Sequence, residues 1–319
     1  MAIGGYNQLS LTCLNTKLDV EAYQFQSARA ALYAYLSATK VKTLYVPNYI
    51  CDSIFPALES LNIEVEFYSI NEQLLPEKSL KLIRKSCCKV LLVNYFGLLN
   101  KKIKELITSE PELYVIDNSQ ALFCEHIEGT TSIYSPRKFL GIPDGGLLRT
   151  SKHINMPKEF FDASKYTGHL LLRASGYAPE GYTMFLDAEQ ALESFTPKRM
   201  SVISEYLIKC TDIRVIKEKR QRNYELLYTR FNSLNQLQLP IHDQIPLCYP
   251  LKLAFKVDQI CKQLIDKAIY LPRYWCSKYS GEVGQDMFET TLFLPIDERL
   301  DTEQIELIIE SVNNMMALK

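Results

Sequence analysis

The sequence predicts an α/β protein, with a mostly parallel central sheet in a large domain and a smaller C-terminal α/β domain. Two observations support this fold class. Short β-rich runs alternate with helical runs over residues 25–150, and such strands usually form a parallel sheet covered by helices on both faces. A long helical segment then precedes a new series of short strands. We therefore expect a large domain over residues 1–205 and a small domain over residues 206–319 that begins with a connecting helix.

The composition is that of an ordinary globular protein. Of 319 residues, 47% are hydrophobic and 23% are charged, and the formal net charge is -1. Because no block of like charges occurs, neither a nucleic-acid-binding surface nor an electrostatic membrane surface is expected. No apolar stretch is long enough to span a bilayer, and the N-terminal residues lack the pattern of a signal peptide. We therefore expect a cytoplasmic protein.

The nine cysteines are scattered, odd in number and without a C-x-x-C pair. This pattern predicts reduced thiols rather than a disulfide framework. A metal site is not expected, because the histidines lie far apart and none has the spacing of a metal ligand. The four histidines are His126, His153, His169 and His242.

The elements of the N-terminal half follow from their residue patterns. Residues 27–38 are rich in Ala and Leu and predict a helix with Ser27 near its start. Residues 51–61 have a helical period despite Pro56. Apolar or alternating runs predict strands at residues 43–47, 63–70, 89–97, 112–120 and 145–150. In a parallel sheet a ligand binds beyond the carboxyl ends of the strands, so the residues after "VNYFG" and "LYVID" are the first site candidates.

The C-terminal half has a different pattern. Residues 151–200 predict irregular structure, with a loop at 175–182. Residues 212–234 predict a long helix, whose apolar face consists of Ile213, Ile216, Leu227, Phe231 and Leu234. The last segment predicts a strand, a turn and a helix with Asp301 as N-cap and Gln304 three residues on. The buried stripe predicted for that helix is Ile305, Ile308, Ile309 and Val312.

Three segments suggest a cofactor site. In "YVIDNSQALF", Asp117 follows a buried strand and Gln120 comes three residues later. In "FQSARAAL", the start of a helix offers free amides to a phosphate. In "SPRK", Ser135 precedes Lys138, and a Pro- and Gly-rich turn follows at 143–146. Pyridoxal 5′-phosphate requires such parts, because a lysine amine bonds to its aldehyde and a carboxylate keeps its pyridine nitrogen protonated. Each residue also has a commoner structural role, so the spacing alone also fits an α/β fold without a cofactor.

The order of these segments resembles that of a known family. "SARAAL", "VPNYICDSI", "VNYFG", "VIDNSQALF", "YSPRKFLGIPDGGLL" and "LPIDERLDTEQIELI" are similar, in series, to segments of the DegT-like (DegT/DnrJ/StrS) nucleotide-sugar aminotransferases. The resemblance covers nearly the whole chain. It implies the fold of the fold-type I pyridoxal-phosphate-dependent transferases.

The resemblance also implies a role for individual residues. Lys138 would hold the cofactor covalently and then move a proton between the substrate and the cofactor. Asp117 would pair with the pyridine nitrogen, and Gln120 would contact the ring's 3-oxygen. Tyr95 would line the pocket. The phosphate would be bound by Ser27, the backbone of Ala28 and Arg29, and Ser135.

Several positions depart from the family pattern. A Gly-Thr pair of the family is here Ala28-Arg29, and Arg29 either reaches the phosphate or points to solvent. Cys51 occupies the position that often carries an aromatic ring over the cofactor, so Tyr49 covers the ring instead or the cover is missing. Pro197 replaces an asparagine that contacts the partner subunit in the family.

Two further features of the sequence concern the surroundings of the site. Arg137, next to the lysine, is not typical of the family's sugar enzymes. In "RYWCSKY" (273–279), the lone Trp275 either lines the substrate entrance or, as is more common, anchors the core or an interface.

The activity implied by the resemblance is transamination in a homodimer. An amino-acid donor, glutamate by family habit, would supply the amine, and a nucleotide-linked keto-sugar of polysaccharide biosynthesis would accept it. Two alternatives remain: an enzyme of the same fold acting on a non-sugar carbonyl, and a non-catalytic family member. A sugar dehydratase of the family would have histidine in place of Lys138, so Lys138 argues against that branch.

Overall fold

A computed structural model of the protein describes residues 9–18, 21–77, 87–107, 109–241 and 244–317. His242, one of the four histidines considered above, lies outside these residues. The main feature is a seven-stranded sheet with the strand order β1-β7-β6-β5-β4-β2-β3. Its strands are β1 (Tyr23–Phe25), β2 (Thr43–Pro47), β3 (Glu64–Tyr68), β4 (Cys88–Val93), β5 (Tyr114–Asn118), β6 (Thr131–Tyr134) and β7 (Gly146–Arg149).

The sheet is mostly parallel, as predicted. Strands β3, β2, β4, β5 and β6 run parallel to one another, whereas β7 is antiparallel to both of its neighbours, β6 and β1. The five strands predicted in this region correspond to β2, β3, β4, β5 and β7. The α/β fold class is confirmed, and the carboxyl ends of the parallel strands lie at one edge of the sheet.

Helices cover the sheet and form most of the C-terminal half. The described helices are α1 (Ala28–Thr39), α2 (Phe55–Ser60), α3 (Asn100–Leu106), α4 (Gly168–Ala174), α5 (Tyr182–Ala191), α6 (Val202–Lys209), α7 (Ile213–Phe231), α8 (Asp258–Asp266), α9 (Glu282–Thr290) and α10 (Thr302–Ala317). The Ser27 hydroxyl accepts a hydrogen bond from the Ala30 amide and so caps α1, as the sequence predicted.

Two expectations for the C-terminal half are wrong. The segment 151–200 is not irregular throughout, because α4 and α5 lie within it. Their side chains are largely exposed, so they lack the buried apolar stripe by which a helix is usually predicted. Leu234 does not lie on the buried face of the long helix, because α7 ends at Phe231 and Leu234 is 52% exposed.

A second, two-stranded sheet lies near the end of the chain. Its strands β8 (Cys248–Lys252) and β9 (Thr291–Pro295) pair antiparallel. The predicted cap of α10 is confirmed: the Gln304 amide donates to Asp301 Oδ1, and the Asp301 amide donates to Gln304 Oε1. Its predicted stripe is buried as well. The division into domains at residue 205 stays a prediction.

Two kinds of feature are absent from the described residues: a membrane-spanning helix and a cluster of metal-binding side chains. None of the helices in these ranges has the length and apolar character needed to cross a membrane. Likewise, these ranges contain no group of three or more His, Cys, Asp or Glu side chains that could hold a metal ion. All nine cysteines are free thiols.

Candidate active site

A cavity lies at the carboxyl edge of the parallel sheet, between the ends of β4 and β5 and the start of α1. Together with its open mouth it contains about 520 Å³ of empty space. Apolar walls with a few polar groups are typical of a small-molecule site. The lining residues are Ala28, Arg29, Leu32, Ile50, Cys51, Ser53, Ile54, Val93, Asp117, Ser119, Gln120, Ile133, Lys138 and Trp275.

Asp117 presents a carboxylate to this cavity from the middle of the sheet. It lies near the end of β5, where its backbone is opposite Val93 of β4 and Ile133 of β6. The Ser119 amide donates to Asp117 Oδ1 at 2.9 Å. Because strands on both sides fix the backbone, the carboxylate has a defined position at the edge where parallel sheets bind ligands.

Gln120 presents a hydrogen-bond donor that has no protein partner. The Phe96 amide donates to Gln120 Oε1 at 2.9 Å, which sets the orientation of the side-chain amide. Phe96 has φ of 59°, a left-handed conformation that is rare for a bulky residue. Within the described ranges, Gln120 Nε2 is buried without an acceptor. Since an unpaired buried donor costs free energy, this nitrogen is suited to an acceptor atom of a bound molecule.

Lys138 enters the cavity from a short 3-10 turn, Pro136–Lys138, that follows β6. Its amide donates to the Ser135 carbonyl at 3.1 Å. Its side chain lines the cavity, where protein atoms around the amine partly remove it from water. Burial lowers the pKa of Lys138, and the nearby Asp117 carboxylate opposes the shift. A lysine with a lowered pKa has more of the neutral, nucleophilic amine near neutral pH.

The start of α1 forms another wall of the cavity. The first amides of any helix have no acceptor within the helix, and the helix dipole makes this end attractive to anions. Ala28 and Arg29 lie in this first turn and line the cavity. Strand β7 lies directly against the turn: a Cβ atom at Gly146 would overlap the Ser27 carbonyl group. The helix start is therefore held in place beside Asp117 and Lys138, as a phosphate site requires.

Arg29 does not point to solvent, which was one of the two orientations considered from the sequence alone. Its Nη1 donates to the backbone carbonyls of Leu192 and Glu193, at 3.2 and 2.8 Å, just beyond the end of α5. The side chain thus runs along the cavity wall rather than out to solvent. Burial lowers the pKa of the Arg29 guanidinium, and the Glu193 carboxylate is among the charges that oppose this shift.

Arg137, next to the candidate lysine, connects the same loop to α5. Both of its terminal nitrogens donate to the Glu189 carboxylate, and the Nη2–Oε2 distance is 2.8 Å. A bidentate pair of this kind fixes geometry better than a single contact does. The loop that carries Lys138 is therefore held from the side by an ion pair that the sequence did not predict.

Four residues predicted for the cofactor site do not line the cavity. Ser27 caps α1, and Ser135 is buried behind the turn of Lys138. Tyr49 is fully buried and donates through its hydroxyl to the Tyr274 carbonyl at 2.7 Å. The buried Tyr95 hydroxyl donates to the Tyr49 carbonyl at 2.5 Å. Of the two candidates for covering the ring, Cys51 lies in the wall and Tyr49 lies behind it.

Eight of the lining residues were not assigned to the site from the sequence, and three of these eight are polar or aromatic: Ser53, Ser119 and Trp275. Ser53 and Ser119 follow predicted candidates closely in the chain, and their position could have been inferred from that proximity. The Ser53 hydroxyl accepts from Cys51 Sγ at 3.2 Å. Trp275 was considered only for the substrate entrance, as an alternative to a role in the core or an interface. It reaches the cavity from the C-terminal half, and no local pattern indicates that contact.

Comparison with known proteins identifies the fold. No protein-family model matches the chain, and no curated protein matches its sequence. Solved structures do match over most of the chain. They include a DegT DnrJ EryC1 StrS aminotransferase from Brucella abortus, with 14% sequence identity and a TM-score of 0.65, covering 93% of this chain and 87% of that one.

Two further structures agree with this match. NtdA from Bacillus subtilis, solved with bound cofactor PMP, is 13% identical with a TM-score of 0.64 over 92% of this chain and 72% of its own. The sugar aminotransferase CalS13 from Micromonospora echinospora is 10% identical with a TM-score of 0.61 over 92% of this chain and 87% of its own. The chain has the α/β fold of these aminotransferases, as its motifs predicted.

Proposed function

We propose that this protein is a pyridoxal 5′-phosphate-dependent aminotransferase. The observation that carries the proposal is the convergence of the Lys138 amine and the Asp117 carboxylate on one cavity, at the edge of the sheet where such folds bind ligands. The two groups also interact electrostatically, since the Asp117 carboxylate opposes the lowering of the Lys138 pKa that burial causes. The stability of the fold does not require Lys138 or Asp117, because an amine and a carboxylate that face a cavity add little to stability.

The groups around the cavity fit the parts of this cofactor. The first turn of α1, held by β7, suits the phosphate group. Gln120 Nε2, which has no acceptor in the described part of the chain, suits the ring oxygen. Asp117 suits a protonated pyridine nitrogen, and Lys138 suits the aldehyde carbon. The predicted contributions of Ser27, Ser135 and Tyr95 would then be indirect, through α1, the lysine turn and Tyr49.

In this proposal, residues of the chain bind and orient the cofactor, and one of them transfers protons. The cofactor, when bound, supplies an electron sink that stabilises negative charge on the substrate carbon. Asp117 maintains positive charge at the pyridine nitrogen. Lys138 Nζ accepts a proton from the substrate and returns it, which its lowered pKa favours because a neutral amine can act as a base. The Arg137–Glu189 pair keeps the lysine turn in position for that transfer.

We further infer that an amino acid, glutamate in the first instance, donates the amine and that a nucleotide-linked keto-sugar of polysaccharide biosynthesis accepts it. Structural similarity to a sugar aminotransferase supports a sugar acceptor. An acceptor with a non-sugar carbonyl and a non-catalytic role are the alternatives. The separate β8–β9 sheet supports a small domain over residues 206–319, and nine free thiols support a cytoplasmic location.

We also propose that the protein is a homodimer. Six large apolar side chains on α4, on α5 and between them are exposed, and we call this group the α4–α5 face. Leu171 and Tyr182 are each 60% exposed. The concentration of such side chains on two neighbouring helices favours an interaction surface, since isolated exposed apolar residues are the norm on monomers. The α4–α5 face consists of Leu171, Tyr177, Tyr182, Met184, Phe185 and Leu186.

An absorbance titration tests the proposed activity. We expect pyridoxal phosphate to give a visible band with the purified protein and glutamate to remove it. Lys138→Ala should abolish the band, whereas Lys152→Ala, which alters an exposed lysine outside the cavity, should keep it. Absence of the band in the unaltered protein would contradict cofactor binding. A band that glutamate and other amino acids leave unchanged would contradict transamination.

A further inference from the structure

Trp275 is the only tryptophan of the chain, and among the described residues it is the only aromatic one that lines the cavity. It reaches the cavity wall from the segment between α8 and α9, far along the chain from Asp117 and Lys138. The two positions considered for an aromatic cover do not provide one. Cys51 has no ring, and Tyr49 is fully buried behind the wall. The cavity therefore receives its aromatic surface from the C-terminal half of the protein.

Two buried tyrosines hold Trp275 in this place. The Trp275 ring packs against Tyr49 and Tyr95, with centroid distances of 5.2 and 6.3 Å. The Tyr49 hydroxyl donates to the carbonyl of Tyr274, the residue just before Trp275, at 2.7 Å. Tyr49 is fixed in turn, because Gly284 of α9 lies directly against its side chain. These contacts leave the indole little freedom to leave the wall.

We propose that Trp275 forms the aromatic wall against which the cofactor ring packs, and that Tyr49 positions it. This inference rests on the proposed function, because it names the residue that contacts the pyridine ring. An indole wall would supply both apolar contact and ring–ring attraction, which are together worth more than the apolar area alone. It would also make the C-terminal half a part of the cofactor site. Cofactor affinity would then depend on contacts between β2, which ends just before Tyr49, and the segment that carries Trp275.

Tryptophan fluorescence provides a test that does not require activity. A bound pyridoxal ring absorbs where tryptophan emits, and all tryptophan emission of this protein comes from the cavity wall. We expect titration with pyridoxal phosphate to quench most of the emission, with the same dissociation constant as the visible absorbance band. A visible band that forms while the emission of Trp275 is unchanged would overturn the proposal and leave the proposed function intact.

Two variants distinguish the contribution of the aromatic ring of Trp275 to cofactor binding from that of its side-chain volume. Trp275→Leu should weaken the binding of pyridoxal phosphate about threefold to tenfold, measured by the visible band, because aromatic packing is lost. Trp275→Phe keeps a ring and should restore most of the affinity. Equal weakening by both variants, with unchanged circular dichroism, would overturn the proposal. A missing band in the unaltered protein would instead contradict the cofactor itself.

Tyr49→Phe tests the positioning role. The variant removes one hydroxyl and the hydrogen bond to the Tyr274 carbonyl but keeps the ring that packs on Trp275. We expect the emission of Trp275 to shift to the red, as an indole does when it gains contact with water, and cofactor affinity to fall severalfold. Tyr182→Phe, which removes an exposed hydroxyl on the α4–α5 face, is the matched control. Emission in Tyr49→Phe identical to that of the control would contradict the positioning role.

Discussion

At the scale of single residues, the chemistry of the cavity depends on the protonation of one amine. Lys138 is surrounded by protein atoms, which disfavours its charged form, while Asp117 favours it. The first effect prevails, so the pKa of Lys138 lies below the ordinary lysine value. The arrangement places a carboxylate close to an amine that can become neutral. That combination suits a group that must attack a carbonyl and later exchange a proton.

The first prediction concerns the reactivity of this amine in the cofactor-free protein. A small aldehyde followed by a reducing agent modifies only neutral amines. Because the pKa of Lys138 is lowered, its modification should begin at lower pH than that of the exposed Lys152. Each unit of lowering gives about tenfold more neutral amine near neutral pH. Peptide mapping by mass spectrometry across a pH series measures both rates.

The lowered pKa of Lys138 also affects how the stability of the cofactor-free protein depends on pH. An unfolded chain would bind a proton at Lys138 at pH values where the folded chain has begun to release it, so this lysine makes stability rise with pH in that window. Lys138→Met should remove that part of the rise in the cofactor-free protein. If the two lysines acquire the label with the same pH profile, the lowered pKa is wrong.

At the scale of elements, the site depends on the close approach of β7 to the first turn of α1. Gly146 is the first residue of β7, and it lies against the Ser27 carbonyl at the point where α1 begins. Any side chain at this position would push the strand and the helix start apart. The close approach therefore explains why position 146 is a glycine.

The second prediction is that Gly146→Ala destabilises the protein by about 2 kcal/mol or more, because the new methyl group has no room. Gly141→Ala is the matched control: it lies in the same loop, and no atom lies within 4 Å of its added Cβ. Urea denaturation of the cofactor-free variants gives both free energies of unfolding. Equal stability of the two variants would show that β7 and α1 can separate at little cost.

The elements also show what sequence patterns can and cannot predict. The helix at Ser27, the strand before Asp117 and the cap at Asp301 were predicted because their signals are local: a capping side chain, a run of apolar residues, a reciprocal hydrogen bond. Strand β1 has three residues and β6 has four, too few for a period to be recognised. Helices α4 and α5 were missed because they expose their apolar side chains, so no stripe separates a buried face from a solvated one.

Local sequence likewise predicts some residues of the candidate site and not others. Asp117 and Gln120 were identified because they lie near the end of a predicted strand, and a parallel sheet brings such positions to one edge. Lys138 was identified from the Pro- and Gly-rich loop around it and from the family resemblance, because the strand before it, β6, was not predicted. The remaining part depends on contacts between distant segments. The carbonyls that bind Arg29 lie at the end of α5, and the hydrogen bond that fixes Trp275 comes from Tyr49. Neither contact has a counterpart in local sequence, because packing alone brings these segments together.

At the scale of the whole molecule, buried side chains connect the two halves of the chain. One cluster of buried residues extends from Phe25 to Met315 and includes members on both sides of residue 205. The cavity is also lined by residues of both halves, since Lys138 lies before residue 205 and Trp275 lies after it. The α4–α5 face remains outside this core. It is the region of the described surface where large apolar side chains are exposed on neighbouring helices, and it is the surface we assign to a second copy.

The third prediction follows from that assignment. The unaltered protein should have twice the chain mass of 36.8 kDa when measured by light scattering after size-exclusion chromatography. Leu186→Lys places a charge in the α4–α5 face, where Leu186 is 47% exposed, and should shift the mass towards that of a single chain. The cost of burying an unpaired charge in an apolar interface provides the physical reason.

Leu234→Lys is the control for this experiment. It alters a leucine of similar exposure, 52%, beyond the end of α7 and outside the α4–α5 face. Its mass should match that of the unaltered protein. If both variants remain dimeric, the dimer uses another surface, and if the unaltered protein has the mass of one chain, the homodimer itself is wrong. Because Arg29 and Arg137 both bind to α5 or the residues just after it, a dimer formed through this face would also hold the cavity wall from outside.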